Sequence, residues 1–334
     1  MTSMTGRKTS GGGRRVEVEG LNPGVLRWAR ERAGHSVPEV ARKLRKAVDL
    51  VERWEAGTAA PTYPELEHLA YDVLHRPLAI FFFPAPPAEA TLEESFRTLP
   101  GFEIEKLEPS TRLSIRRAHA DQLAMKDLFG GRSPVPNPLL RAVVLPARPD
   151  VAAVATSVRQ ALGVRLEEQM GAWKDEREAL ARWRAAVEAA GVFVLKTSLE
   201  QRSISGFSLF DPGFPVIVLN DRASLARQLF TLMHELGHLL EQTGGVTTAD
   251  DEFVRALRGE AREIEGFCNR LAAEILVPPD GIRQRVTGVE PSDDSVSAVA
   301  RTYKISRARE QIGRGRGARR VVEGGGELSR KSEE

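Results

Sequence analysis

Two histidines four residues apart, the first followed by a glutamate, stand inside an apolar run: His234, Glu235, Leu236, Gly237, His238. On an α-helix, residues four apart share a face, so His234 and His238 project side by side and can offer imidazole nitrogens to one metal ion. Glu235 sits one position on, beside such an ion but not aimed straight at it. That is where a general base for an attacking water belongs. Two neutral imidazoles plus a carboxylate, with one position left open, suit zinc. Leu229, Phe230, Leu232, Met233, Leu236, Leu239 and Leu240 surround these groups. Burying two histidines and a glutamate among them is costly unless something binds them. The plainer alternative is an amphipathic helix whose histidines simply pack against a core. Gly237 carries a helix-propensity cost of about 1 kcal/mol, which implies that another backbone approaches there.

A third ligand is needed, and a second helical pattern supplies candidates. Residues 260–276 contain Glu260, Glu263, Glu265 and Glu274 beside the stripe Ile264, Phe267, Cys268, Leu271, Ala272 and Ile275. Glu265 flanks the stripe, with Asn269 one turn later on the same face. Glu274 lies between Leu271 and Ile275. Spacing alone does not choose between Glu265 and Glu274.

These two helices need a scaffold. Ahead of them, residues 151–162 and 176–190 read as helices and 191–196, 203–210 and 215–219 as strands, the last two separated by an Asp-Pro-Gly turn. A small sheet followed by two long helices, 221–241 and 260–276, indicates an α+β domain. Residues 203–210 are the strand expected to pair with an extended substrate. No oxyanion donor can be placed.

Composition bounds the rest. The 334 residues are enough for two domains, and the net charge of +2 does not announce a nucleic-acid binder. A single cysteine, Cys268, rules out an internal disulfide and fits a reducing cytoplasm. It reads as a buried structural thiol. No apolar run is long enough to span a bilayer. Proline-rich breaks near 84–87 and 132–138 flank a helical pattern at 110–129. The expected divisions are a disordered arm (1–20), a helical module (21–83), a proline-rich and helical linker (84–148), the α+β domain (149–302) and a disordered Gly/Arg/Glu tail (303–334) with Arg314, Arg316, Arg319 and Arg320.

The segments 227–240 (RQLFTLMHELGHLL) and 265–278 (EGFCNRLAAEILVP) resemble the ImmA/IrrE family of metallopeptidases, which has an HExxH helix and a second helix of the form ExxAN-x-FAA-x-LLMP. The departures are Cys268 for Ala, Leu271 for Phe and Val277 for Met. The resemblance implies a zincin-like fold over about 191–278, one Zn2+ per chain and peptide hydrolysis. It also implies Glu265 as the third ligand and Glu235 as the catalytic base.

The module at 21–83 shows short helical patterns at 26–34, 37–46, 49–56, 64–74 and 77–83, an all-α helix-turn-helix arrangement. The stretch 51–57 (VERWEAG) resembles the Cro/C1 (Xre-type) family, in which Trp-Glu-x-Gly closes the recognition helix. The departures are Pro38 where Gln is frequent and Arg45 at the usual glycine of the turn. The candidate DNA contacts are Arg42, Lys43, Arg45, Lys46 and Arg53, with Arg14 and Arg15 as an arm. Nine Lys/Arg against eight Asp/Glu leave residues 21–78 near neutral. Asp49 and Glu52 on the reading face cost affinity near phosphates. Residues 95–100 resemble the linker found between such modules and ImmA/IrrE peptidases.

The expected fold is therefore multidomain, a helix-turn-helix module plus an α+β zincin-like domain. The expected function is a cytoplasmic zinc endopeptidase that cleaves a specific protein, such as a transcriptional repressor, in stress or mobile-element control. Candidate partners are that protein, double-stranded DNA and a second copy of the chain, with no membrane. The alternatives are a non-proteolytic Xre-type or antitoxin-like regulator with a metal-sensing domain, or a metal-dependent hydrolase of another substrate.

Overall fold

The computed structural model describes residues 16–96, 104–135, 138–248, 257–279 and 302–304. Arg14, Arg15 and the four arginines of the tail lie outside them. The chain divides into two compact units, residues 1–89 and 90–334.

The first unit is helical. Helix α1 (Pro23–Ala33) starts three residues earlier than expected because Asn22 caps it, its side chain accepting from the Gly24 and Val25 N–H groups. Helix α2 (Val37–Leu44) opens on a capping box of Ser36 and Glu39, which accommodates Pro38 in the first turn. Helix α3 (Val48–Ala56) follows, then α4 (Tyr63–His68). The helical pattern expected to reach residue 74 continues as a π turn, Leu69–Val73, and the fifth element is a 3-10 turn, Leu78–Phe82. Val25, Leu26, Val40, Val51, Trp54, Leu66 and Phe81 close one core.

The second unit is built on a four-stranded mixed sheet of order β1-β3-β2-β4. Strand β1 (Phe193–Thr197) runs parallel to β3 (Val216–Asn220), and β2 (Ile204–Leu209) is antiparallel to both β3 and β4 (Val246–Thr248). The expected role of residues 203–210 as a substrate-pairing strand is thereby corrected: β2 has a neighbour on each side, so its backbone groups are already spent. Strand β4, three residues long, gave no readable pattern in the sequence.

Both faces of the sheet are covered. Helices α5 (Leu92–Ser95) and α6 (Pro109–Leu128) belong to residues read as linker. Phe96, Ile104, Leu107, Ile115 and Ala118 of that stretch nevertheless join Phe207, Leu209, Val216 and Val218 in one buried cluster. Gln122 donates to the Leu209 and Phe214 carbonyls, fastening α6 to the β2–β3 hairpin. The opposite face, Val194, Ile217 and Leu219, packs under the helices α7 (Leu139–Ala142), α8 (Val151–Ala161), α9 (Leu166–Gly171), α10 (Glu176–Ala189), α11 (Leu225–Leu240) and α12 (Gly259–Leu276).

Helix α11 lies between β2 and α12, and a glycine permits close approach on each side. A Cβ on Gly206 of β2 would come within 2.6 Å of both Val218 O and Thr231 Cγ2, and one on Gly237 within 3.2 Å of Cys268 Cα. Gly206→Ala is expected to destabilise the second unit by about 1–3 kcal/mol through overpacking, read by urea unfolding. An unchanged midpoint would show that the helix yields without cost.

Candidate metal centre

Helix α11 is fixed at its start by Ser224, whose hydroxyl accepts from the Arg227 N–H. Its 3.6-residue period brings His234 and His238 onto the face that meets α12, and Glu265 comes from the first half of α12. His234 Nε2 lies 3.2 Å from Glu265 Oε2, and His238 Nε2 lies 3.1 Å from Glu265 Oε1. The two Nε2 atoms are 3.1 Å apart. Among the described residues these three form one group whose donor atoms lie within 4.8 Å of each other, and all three are buried. Glu274 does not join it: its carboxyl is half-buried on the far turn of α12, where burial and Asp150 raise its pKa. Glu260 and Glu263 face solvent.

The three groups are strongly coupled. Burial by itself would raise the Glu265 pKa, yet the imidazoles of His238 and His234 hold it well below the carboxylate range. Burial would lower that of His238, yet Cys268 and Glu265 hold it well above the ordinary imidazole value. Asn269 Oδ1 lies 3.1 Å from His234 Nδ1, so Nδ1 donates and Nε2 keeps its lone pair toward the group. The carboxylate and the two imidazole nitrogens converge at about 3 Å, so a positive charge among them, whether an imidazolium proton or a metal ion, offsets the carboxylate. A divalent cation bound by neutral imidazole and carboxylate satisfies all three donors, so the residues present fit a metal.

Glu235 occupies the position expected for the base and is fully buried. Its Oε2 accepts from the Ser208 hydroxyl at 2.6 Å and its Oε1 from the Thr247 hydroxyl. Gly245 packs on the His238 ring, since a Cβ there would lie 2.2 Å from His238 Cδ2. Its φ is not positive, so glycine is required for space and not for conformation. Cys268 is buried beside Gly237, where burial pushes its thiol up. Sequence reading noted Asn269 only as a neighbour of Glu265 and missed Ser208, Thr247 and Gly245. A Gly-Gly pair six residues after His238 was the one available signal, and it reads as an ordinary turn.

The candidate DNA contacts separate. Arg42, Lys43 and Arg45 are exposed, Arg45 capping α2 with φ 56, the left-handed conformation for which glycine is usual. Lys46 is half-buried and tied to Glu65, and Arg53 pairs with Asp49 on α3 at 3.5 Å. The Trp-Glu-x-Gly segment is structural. Trp54 is in the core, Glu55 accepts two hydrogen bonds from Arg30 of α1 at 2.6 and 2.9 Å, and Gly57 has φ 72.

A buried His-His-Glu cluster on two helices over a mixed sheet, with a helix-turn-helix module in the same chain, defines a metallopeptidase-type domain joined to a DNA-binding-type domain. Residues 187–310 match the model of the IrrE N-terminal-like domain, and residues 24–71 match that of a helix-turn-helix domain. The chain is also similar to the protein named radiation response metalloprotease IrrE of Deinococcus radiodurans, with 34% identity over 103 residues, 29% of this chain and 30% of that protein. The same-named protein of Deinococcus deserti is 31% identical over 103 residues, 29% of this chain and 34% of its own length. The match thus spans about a third of these relatives. No helix among the described residues is long and apolar enough to cross a membrane.

Asn269→Ala removes the acceptor that orients His234. Metal affinity is expected to fall on the order of 10- to 100-fold, measured by competition with a chelating dye. Unchanged affinity would remove Asn269 from that role.

Proposed function

We propose that the chain is a zinc-dependent endopeptidase that acts as a regulator by cleaving a specific protein, such as a transcriptional repressor. In this reading His234, His238 and Glu265 hold one Zn2+ and Glu235 is the catalytic base. The observation that carries the proposal is the convergence of three buried donors beside a fourth, separately held carboxylate. The matched IrrE N-terminal-like domain supports the same chemistry.

Zinc, when bound, polarises a scissile carbonyl and acidifies a water. The rest falls to the chain. Asn269 keeps His234 turned so that Nε2 is the donor. Glu265 supplies negative charge that offsets the cation. Glu235 takes the water's proton and delivers it to the leaving amine. The apolar walls of α11 and α12 exclude bulk solvent, which strengthens each of these interactions.

The helix-turn-helix module suggests how a target is found. Arg42, Lys43 and Arg45 present a basic edge to double-stranded DNA, which would place the peptidase near DNA-bound proteins. Asp49 and Glu52 on α3 make that contact weak and selective.

His234→Ala is expected to lose the metal, read by elemental analysis against a wild-type content of about one zinc per chain. Glu235→Gln is expected to keep zinc and lose cleavage by on the order of 10²–10⁴-fold. Comparing new N-termini in cells that express wild type or Glu235→Gln would identify the substrate, and equal cleavage by both would remove Glu235 as the base. For the module, Arg42→Ala/Lys43→Ala in the full chain should lower affinity for a DNA duplex. It should also reduce the slope of log K against log salt by roughly one for each phosphate that is no longer neutralised. A slope unchanged by the substitutions would place the DNA-binding surface elsewhere.

A further inference from the structure

We infer that Ser208 and Thr247 are positioning residues for Glu235, a two-point hydroxyl clamp that fixes the plane of its carboxylate beside the metal cluster. The inference rests on the peptidase reading for its consequence but on hydrogen-bond geometry for its existence.

The direction of each bond can be derived. Ser208 Oγ accepts from the Gly245 N–H at 3.1 Å, so its single proton is free to go to Glu235 Oε2, 2.6 Å away. Thr247 Oγ1 lies against Glu235 Oε1, and a carboxylate oxygen can only accept, so the threonine donates. The two donors stand on different strands, Ser208 on β2 and Thr247 on β4. The last torsion of a glutamate side chain is soft and broad, so one hydrogen bond would leave the carboxylate free to rotate. Hydrogen bonds at both oxygens from two strands of one sheet remove that freedom. Each oxygen retains a second lone-pair direction, so the clamp does not prevent Glu235 from accepting a further proton.

Ser208 also couples the base to a ligand. Its N–H donates to Gly245 O at 2.9 Å while its Oγ accepts from Gly245 N, a reciprocal grip on one residue. Gly245 is the residue that lies against the His238 ring. One serine therefore registers the β4 side of the site against both Glu235 and His238. Loss of either hydroxyl should let the carboxylate wander by a fraction of an ångström to about 1 Å, a displacement that can cost on the order of 10²-fold in rate.

The test uses the full zinc-loaded chain with Ser208→Ala, Thr247→Val and the hydroxyl-preserving Thr247→Ser, each also combined with Glu235→Gln. If the clamp exists, the melting-temperature shifts of Ser208→Ala and Thr247→Val will fail to add to that of Glu235→Gln, because the partner has already been altered. Thr247→Ser will stay close to wild type, and zinc affinity will change little in all. On the substrate found by the Glu235→Gln comparison, Ser208→Ala and Thr247→Val should lower kcat with KM nearly unchanged, and Thr247→Ser should restore it. Additive melting shifts, or wild-type kcat in Thr247→Val, would overturn the clamp. A chain that cleaves nothing, or whose cleavage is indifferent to Glu235→Gln, would defeat the peptidase reading alone, and the melting cycle would still decide whether the clamp is real.

Discussion

The structure turns on the presence of four polar side chains in a layer that is otherwise hydrocarbon. His234, His238, Glu235 and Glu265 are each at most 4% exposed, and leucines and isoleucines of α11 and α12 enclose them. Isolated charges in such a layer cost several kcal/mol each, so every one must be matched. Two solutions operate side by side. The His-His-Glu cluster shares charge among its own members and fits a divalent cation. Glu235 instead accepts hydrogen bonds from hydroxyls of the sheet. The separation is chemical as well as spatial: one carboxylate faces two imidazoles and the other two hydroxyls.

Meeting both demands requires α11 to be close to two layers at once. A side chain at Gly206 would push the helix off β2 and carry Glu235 away from Ser208. A side chain at Gly237 would crowd Cys268 at 3.0–3.2 Å and press α12, with Glu265 on it, away from the imidazoles. The glycines are thus the geometric condition of the site, and their conformational cost is offset by packing that exists only at that distance.

The parts of this arrangement visible in the sequence were those with a period. The four-residue spacing of His234 and His238 and the apolar stripe of α12 follow from helix geometry, which needs no knowledge of partners. Spacing left Glu265 and Glu274 open and the family resemblance pointed to Glu265; the physical reason, the crossing of two helices, is encoded by no single helix. Ser208 and Thr247 were illegible for another reason. A hydroxyl on a strand looks like the polar half of an ordinary alternation, and its role depends on a helix elsewhere in the chain. The same limit explains residues 84–148, whose prolines suggested a linker. Ile115 and Ala118 of α6 sit over the sheet, but a period marks which face is buried and not what buries it. In the first unit, the Trp-Glu-x-Gly signal was legible as a family mark, yet its physical meaning, a carboxylate gripped by Arg30, appeared only once α1 and α3 were packed.

A single irregularity in the sheet ties these threads together. Along β2, Phe207 and Leu209 face the α6 cluster while Gly206 and Ser208 face α11, yet Ile204 also joins the α6 cluster, two residues from Gly206 on the other face. Strict alternation forbids that. The pairing of β2 with β4 shifts register between Ile204 and Gly206, a bulge that inserts one residue and reverses the parity beyond it. Without it, keeping Ile204 in the core would turn Ser208 toward α6 and bring Phe207 onto Glu235, because a one-residue slip exchanges the faces of a strand. The bulge lets β2 satisfy two cores with opposite phases. Its apolar start belongs to the layer under α6, and its end places one hydroxyl against the carboxylate that stands apart from the His-His-Glu cluster.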